Sequence, residues 1–243
     1  MIVFIHIPKT GGISLRNLFD KVYGDNFLQD GDVKGKLPKN IEMVGGHFRY
    51  IASSDTAYDC QYITMMRNPI ERLISYYYFL LRSHDHYIYR KIIRGNSKLN
   101  EAFKKYGKDY NTADMAKMIA NEVSFEDFVY GGFTEQTCNG QASVISGLNT
   151  PFGKTEDKML EVAISNIESS FLAVGLMEKF DESVQLFGKK LGWKRIPCAK
   201  PTNVRPKLPI QIKFDKEKME EFNRIDMKLY EYVVGRWNRD WGN

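Results

Sequence analysis

The feature that most restricts the fold of this chain is its opening order: a short apolar run, a glycine-containing loop and an amphipathic segment. Residues 2–7, with the sequence IVFIHI, are almost continuously apolar, which is typical of a strand buried on both faces of a parallel sheet. Pro8 to Gly12 interrupt this run. Apolar residues then recur at helical spacing before Gly24, at Leu15, Leu18, Phe19 and Val22. This order predicts the first strand–loop–helix unit of an α/β fold.

A second unit of the same kind occupies residues 61–82. A strand is predicted over 61–66 (QYITMM), Arg67 and Asn68 close it, and Pro69 suits the first turn of a helix. Further strands are predicted at 42–46 and 171–176, and further helices before Gly192 and over 215–238. The alternation predicts a three-layer α/β fold with a mostly parallel central sheet flanked by helices.

Length and composition predict a single domain over residues 1–243. A chain of 243 residues, of which 43% are hydrophobic, can bury one substantial core. Residues 83–135 break the strand–helix rhythm, are polar and basic, and are predicted to form a mostly helical insertion over one edge of the sheet. The three cysteines are widely spaced, which argues against a disulfide framework or a structural zinc site.

Charge and hydropathy indicate which kinds of ligand and which environment the protein is suited to. The formal net charge of +5 fits an anionic ligand and does not require nucleic acid. No apolar run reaches the roughly 18 residues of a membrane span. The start of the chain has neither a basic n-region nor a cleavage site. The expectation is a cytoplasmic protein without a membrane span.

The loop after the first strand has the chemistry of a phosphate site. Its glycines let the backbone approach an anion, and the following helix N-terminus offers free N–H groups. Lys9 adds a positive charge, and Thr10 and Ser14 add hydroxyl donors. The Walker pattern G-x-x-x-x-G-K-[ST] is absent, because the lysine precedes the glycines. A simple strand–helix turn is the alternative interpretation.

A second basic signature follows the strand at 61–66. Arg67 lies at the strand end, and Ser75 lies on the next predicted helix. An arginine fork with a nearby hydroxyl can bind a second phosphate. Ordinary helix capping by Asn68-Pro69 is the alternative, so the two signatures carry weight only in combination.

Together, I-P-K-T-G-G-x-S and R-N-P-x-E-R-x-x-S-x-Y resemble the motifs of sulfotransferases that use 3′-phosphoadenosine 5′-phosphosulfate (PAPS). The closer similarity is to the carbohydrate branch that includes the heparan sulfate 2-O-sulfotransferases. The resemblance implies a P-loop-like sulfotransferase fold, PAPS as the sulfuryl donor, 3′-phosphoadenosine 5′-phosphate (PAP) as the product, and no metal. It also implies which residues bind the 5′-phosphosulfate (Lys9, Thr10, Gly11, Gly12, Ile13 and Ser14) and the 3′-phosphate (Arg67 and Ser75).

Three further details belong to this resemblance. Ile13 stands where a threonine is usual in the family, which leaves one hydroxyl fewer near the phosphates. Arg205, in a proline-rich loop, is a further candidate for the 3′-phosphate, with an ordinary surface arginine as the alternative. Asn139-Gly140-Gln141 resembles the family's N-x-Q segment.

Sulfuryl transfer also needs a base for the acceptor hydroxyl, and histidine suits that role near neutral pH. His47 is the candidate, because it ends a predicted strand at the edge of the sheet where α/β ligand sites lie. Its G-H-F context also resembles the catalytic histidine of the family. A half-buried histidine bonded to backbone is the alternative. His6 is expected to be a packed residue or to support a residue of the site. His84 and His86 lie in the predicted insertion, where surface exposure is expected and contact with the acceptor is the alternative.

The predicted function is direct in-line transfer of a sulfuryl group from PAPS to an acceptor hydroxyl, with a carbohydrate as the expected acceptor. Lys9 would stabilise the leaving phosphate, and His47 would remove the proton. Residues 82–122 hold nine basic and five acidic residues, so the insertion is expected to border a cleft for an anionic acceptor, with a solvated helical face as the alternative. The alternative functions are a P-loop-type kinase of a small acceptor and a noncatalytic anion- or glycan-binding module.

Overall fold

The computed structural model of the protein describes residues 1–30, 37–52, 55–56, 58–83, 85–106, 112–154, 156–197, 208 and 210–241. Its strands are β1 (Ile2–Ile5), β2 (Phe27–Gln29), β3 (Met43–Gly46), β4 (Gln61–Met66) and β5 (Phe171–Leu176). They form one parallel sheet in the order β2-β3-β1-β4-β5. The predicted α/β fold with a parallel central sheet is confirmed.

The helices pack in two groups, one against the sheet and one around α2, which spans Pro69–Leu80. They are α1 (Gly12–Tyr23), α2 (Pro69–Leu80), α3 (Tyr87–Gly95), α4 (Ser97–Tyr106), α5 (Thr112–Glu122), α6 (Phe125–Tyr130), α7 (Gly140–Ser146), α8 (Asp157–Ser170), α9 (Phe180–Lys190), α10 (Lys216–Phe222) and α11 (Arg224–Trp241). One buried apolar cluster joins the sheet to α1, α7, α8, α9 and α11, and a second joins α2 to α3, α4, α5, α6 and α10. No helix within the described ranges has the length and apolar character needed to cross a membrane.

The register of the central strands determines where the site lies. β1 pairs with β3 on one side, with Ile5 opposite Gly46, and with β4 on the other, with Ile5 opposite Thr64. Since all strands run in the same direction, the residues that follow β1, β3, β4 and β5 meet at one edge of the sheet. Ligands of open α/β sheets bind at this carboxyl edge.

The single helix predicted over 215–238 is wrong, because the chain forms α10 and α11 with a break at Asn223. Asn223 is fully buried and has a backbone ψ of 30°. Its side-chain oxygen accepts a hydrogen bond from the backbone N–H of Asn139 at 2.9 Å. The apolar spacing of this segment predicts one continuous helix, but this tertiary contact interrupts it.

The sequence does not predict β2 or α8. β2 has three residues, too few to show a periodic pattern. In contrast, α8 buries Met159, Ala163 and Ile167, which recur at every fourth residue. That spacing is a helical signal, so α8 could have been identified from the sequence.

Candidate active site

A cavity of about 390 Å³ opens at the carboxyl edge of the sheet, beside the start of α1. Most of the candidate residues predicted from the sequence line it: Lys9, Gly11, Gly12, Ile13, Ser14, His47, Arg67 and Ser75. The other lining residues are His6, Pro8, Arg16, Tyr76, Phe79, His86 and Met177. The structure therefore brings together side chains from the loops after β1, β3 and β4.

The loop after β1 has an unusual backbone. Lys9 and Gly11 have φ angles of 72° and 82°, in the left-handed region. Gly11 is also tightly packed, since a Cβ there would lie 2.6 Å from the sulfur of Met177. Thr10 is fully buried, and its hydroxyl donates to the Ile7 carbonyl at 2.9 Å. The Thr10 hydroxyl is therefore used within the loop and does not line the cavity, contrary to its expected role as a donor to the phosphate, while its neighbours do line the cavity.

The cavity is electropositive. Its lining includes the cations Lys9, Arg16 and Arg67, and no Asp or Glu occurs among the described residues that line it. The Lys9 ammonium lies 4.2 Å from the centre of the Phe79 ring, a cation–π contact that holds it at the cavity wall. The N-terminus of α1 adds its positive end of the helix dipole. This field favours an anionic ligand.

Arg67 and Ser75 lie where the cavity meets a second groove of about 700 Å³, between α2 and residues 210–214. The Arg67 guanidinium donates to the Lys9 carbonyl at 3.4 Å and lies 3.6 Å from Glu71. The Asn68 side chain caps α2 by accepting from the Ile70 and Glu71 amides. Arg67 and Ser75 thus lie beside the Lys9 loop, in a position to extend the same anion site.

His47 is exposed and is held in one orientation. Its backbone N–H donates to Asp30 Oδ2 at 2.9 Å, and its ring stacks on His6 with centroids 4.3 Å apart. Its Nδ1 lies 2.9 Å from the backbone carbonyl of His6. A carbonyl can only accept, so this contact assigns the proton of the neutral ring to Nδ1 and the lone pair to Nε2. The structure therefore leaves Nε2 available as a base.

His6 is a packed residue, as the sequence predicts, and it lies directly beneath the site. It is 6% exposed, and a Cβ at Gly12 would lie 1.9 Å from its ring. Burial first, and then the nearby charges of His47, Arg16 and Lys9, lower the pKa of His6 to about 3. The ring is therefore neutral at physiological pH, and glycine is required at position 12 to accommodate it.

The depressed pKa of His6 predicts a pH-dependent stability that His6→Phe removes. Between the folded pKa of about 3 and the unfolded value of about 6.5, the unfolded chain binds a proton that the folded chain does not. Stability therefore falls as the pH drops through this window, by about 2 kcal/mol between pH 7 and pH 5. Urea unfolding at both pH values should show that extra loss in the wild type only. Parallel losses in the two proteins would contradict the prediction.

The expectation that His86 is exposed is wrong. Its half-buried ring lines the cavity, 5.3 Å from the Phe79 ring. Burial lowers its pKa, with smaller contributions from Lys9 and His47. The alternation of strands and helices could not show this proximity, because it depends on the packing of the His86 ring against Tyr76 and Phe79 of α2. His84 and Arg205 lie outside the described residues.

The sequence does not predict two other residues of the site. Arg16 lies one helical turn after Gly12 on α1, and its guanidinium donates to Gln29 at 3.2 Å. The four-residue spacing from the glycine loop is a signal that could have identified it. Asp30, which holds the His47 backbone, follows the unpredicted strand β2 and therefore gave no such signal.

Comparison with known proteins identifies the family of the chain. No curated protein matches the chain. The family model described as "Sulfotransferase family" matches residues 1–233, which include β1, the Lys9 loop, His47, Arg67 and most of α11. The chain therefore belongs to the sulfotransferase family, whose members transfer sulfuryl groups to acceptor hydroxyls.

Proposed function

We propose that this protein transfers a sulfuryl group from PAPS to a hydroxyl group of a carbohydrate, as the heparan sulfate 2-O-sulfotransferase branch does. The observation that carries the proposal is the convergence of the Lys9 loop, the Arg67–Ser75 pair and His47 on one cavity. Sulfuryl transfer needs an anion cradle, a cation at the leaving oxygen and a base. These three chemical elements are the ones that the cavity combines.

The residues fit a donor that carries two separate anionic groups. Because Gly11 and Gly12 carry no side chain, an anion can approach the backbone amides at the start of α1. Lys9 lines the cavity beside them. Ser14 adds a hydroxyl to this first position, and Ile13 contributes only backbone and apolar contact. Arg67 and Ser75 form the second position. We assign the 5′-phosphosulfate to the first and the 3′-phosphate to the second, with Arg205 as an additional ligand of the latter.

The roles of the protein groups follow from this assignment. PAPS supplies the sulfuryl group, whose bond to the phosphate oxygen breaks as its bond to the acceptor oxygen forms. Lys9 neutralises the charge that grows on the departing phosphate. His47 Nε2 takes the acceptor proton, and the His6 carbonyl stabilises the resulting imidazolium through Nδ1.

We further propose that residues 83–135 are an insertion within one domain and border the acceptor. His86, which precedes α3, reaches the cavity, and Tyr87 beside it is 63% exposed. Aromatic rings with one free face suit a sugar ring. Lys104 and Lys105 are exposed on α4 and do not line the cavity, so they would meet only an extended anionic acceptor.

Titration with nucleotides tests the proposed function. PAP should raise the melting temperature of the protein at micromolar to millimolar concentrations, and ATP with Mg²⁺ should have a much smaller effect. Preferential stabilisation by ATP with Mg²⁺ would favour a kinase. Indifference to both nucleotides would favour an anion- or glycan-binding module without transferase activity.

A further inference from the structure

The peptide groups of Arg67 are held by a single buried side chain. The Arg67 N–H donates to Gln141 Oε1 at 3.1 Å, and the Arg67 carbonyl accepts from Gln141 Nε2 at 2.8 Å. Gln141 is fully buried on α7. The side-chain amide of Gln141 thus forms both a donor and an acceptor hydrogen bond with one residue, as a residue of a neighbouring strand would in a hydrogen-bonded pair. This fixes the direction in which the Arg67 side chain leaves β4.

Gln141 is itself anchored to the last helix. Its backbone N–H donates to Asp226 Oδ2 at 3.2 Å, and the next amide, of Ala142, donates to Asp226 Oδ1 at 2.7 Å. Asp226 pairs with Arg72 at 3.5 Å, and both side chains are fully buried. Arg72 lies on α2, the helix that also carries Ser75. One buried network therefore fixes both Arg67 and the helix of Ser75.

Asn139 also links this network to the start of α11. Its side-chain oxygen accepts from the backbone N–H groups of Ile225 and Asp226, each at 3.0 Å. Asn139 has a φ of 49°, in the left-handed region that asparagine tolerates better than most residues. The Asn139–Gln141 segment thus connects the start of α11 to the end of β4.

We propose that Gln141 is a positioning residue that gives the site its selectivity for a 3′-phosphate. The inference rests on the proposed function, in which Arg67 binds that phosphate. The Arg67 guanidinium already lies 3.6 Å from Glu71, a competing anion. Without the two hydrogen bonds to Gln141, the backbone of Arg67 is free to turn, and the guanidinium can move further toward Glu71 and away from the proposed phosphate position. The affinity that the 3′-phosphate contributes is then reduced, while the affinity for the rest of the nucleotide is unchanged.

The test compares two nucleotides that differ only in this phosphate. Isothermal titration measures the Kd of PAP and of 5′-AMP for the wild type and for Gln141→Met, which keeps the side-chain length and loses both hydrogen bonds. The ratio Kd(AMP)/Kd(PAP) should fall by about tenfold, corresponding to about 1.4 kcal/mol. The Kd of 5′-AMP should change by less than about twofold, which is near the noise of such comparisons.

Asn166→Leu is the matched control. Asn166 donates to the Ile145 and Ser146 carbonyls at the other end of α7, so its loss also removes two hydrogen bonds from this helix. Its ratio of Kd values should stay at the wild-type level. If Gln141→Met does not fold, Gln141→Glu replaces it, because glutamate keeps the acceptor for the Arg67 N–H and loses the donor.

The outcomes separate the two proposals. A wild type that binds 5′-AMP and PAP equally well overturns the proposed 3′-phosphate site itself. A wild type that prefers PAP, with the same ratio in the Gln141 variant, overturns the role of Gln141. Equal weakening of both nucleotides in that variant also overturns it, since this result indicates a general loss of structure.

Discussion

Lys9→Ala is expected to lower kcat for sulfuryl transfer by roughly 10²- to 10³-fold, the range found when one group that stabilises developing charge is removed. The Lys9 ammonium lies at the wall of the cavity, against Phe79 and beside the start of α1. A phosphate bound at the start of α1 would therefore lie in the same cavity as this ammonium group. Initial rates with saturating PAPS measure the effect.

Lys9→Gly is the control for this prediction, because the backbone of Lys9 has a φ of 72°. An alanine in the left-handed region costs about 1 kcal/mol, whereas a glycine adopts it freely. The glycine variant should therefore be at least as stable as the alanine variant in thermal unfolding and equally slow in turnover. Wild-type turnover in Lys9→Gly would show that the ammonium group is not needed.

His47→Ala is expected to lower kcat by about 10²- to 10⁴-fold, the usual contribution of a general base. The Kd of PAP should stay within about threefold of the wild-type value, a change of under 1 kcal/mol. This split follows from the geometry, since His47 is held by Asp30 and by the His6 carbonyl and makes no contact with Arg67 among the described hydrogen bonds.

His86→Ala is the comparison for the base assignment. His86 lines the same cavity, but its Nδ1 lies 3.4 Å from the backbone N–H of Ile88 and acts there as a helix cap. Its loss should raise the KM of the acceptor more than it lowers kcat. Undiminished turnover in His47→Ala, or a larger loss of kcat in His86→Ala, would contradict the assignment of His47 as the base.

The position of the site could be predicted from the sequence because it depends on local signals. Buried parallel strands appear as continuous apolar runs, and the residues that follow each run lie at the carboxyl edge of the sheet. Lys9, His47 and Arg67 each follow such a run, so the parallel topology alone brings them together. Ser75 then follows from the helical spacing after Pro69.

The contacts that orient these residues could not be predicted in the same way. The His6 carbonyl meets His47 across 41 positions of the chain, and Gln141 meets Arg67 across 74. Such pairs depend on strand register and on helix packing, which leave no periodic trace in one sequence. The break at Asn223 has the same origin, because a buried side-chain contact with Asn139 overrides a regular apolar pattern.

The most direct test of the account is a crystal structure of the protein bound to PAP. We expect the 5′-phosphate at the N-terminus of α1, with Lys9 Nζ at about 3 Å, and the 3′-phosphate at about 3 Å from the Arg67 guanidinium and the Ser75 hydroxyl. His47 Nε2 should face the side of the 5′-phosphate on which a sulfuryl group would be transferred. A nucleotide bound elsewhere, or one whose 3′-phosphate does not contact Arg67, would contradict it.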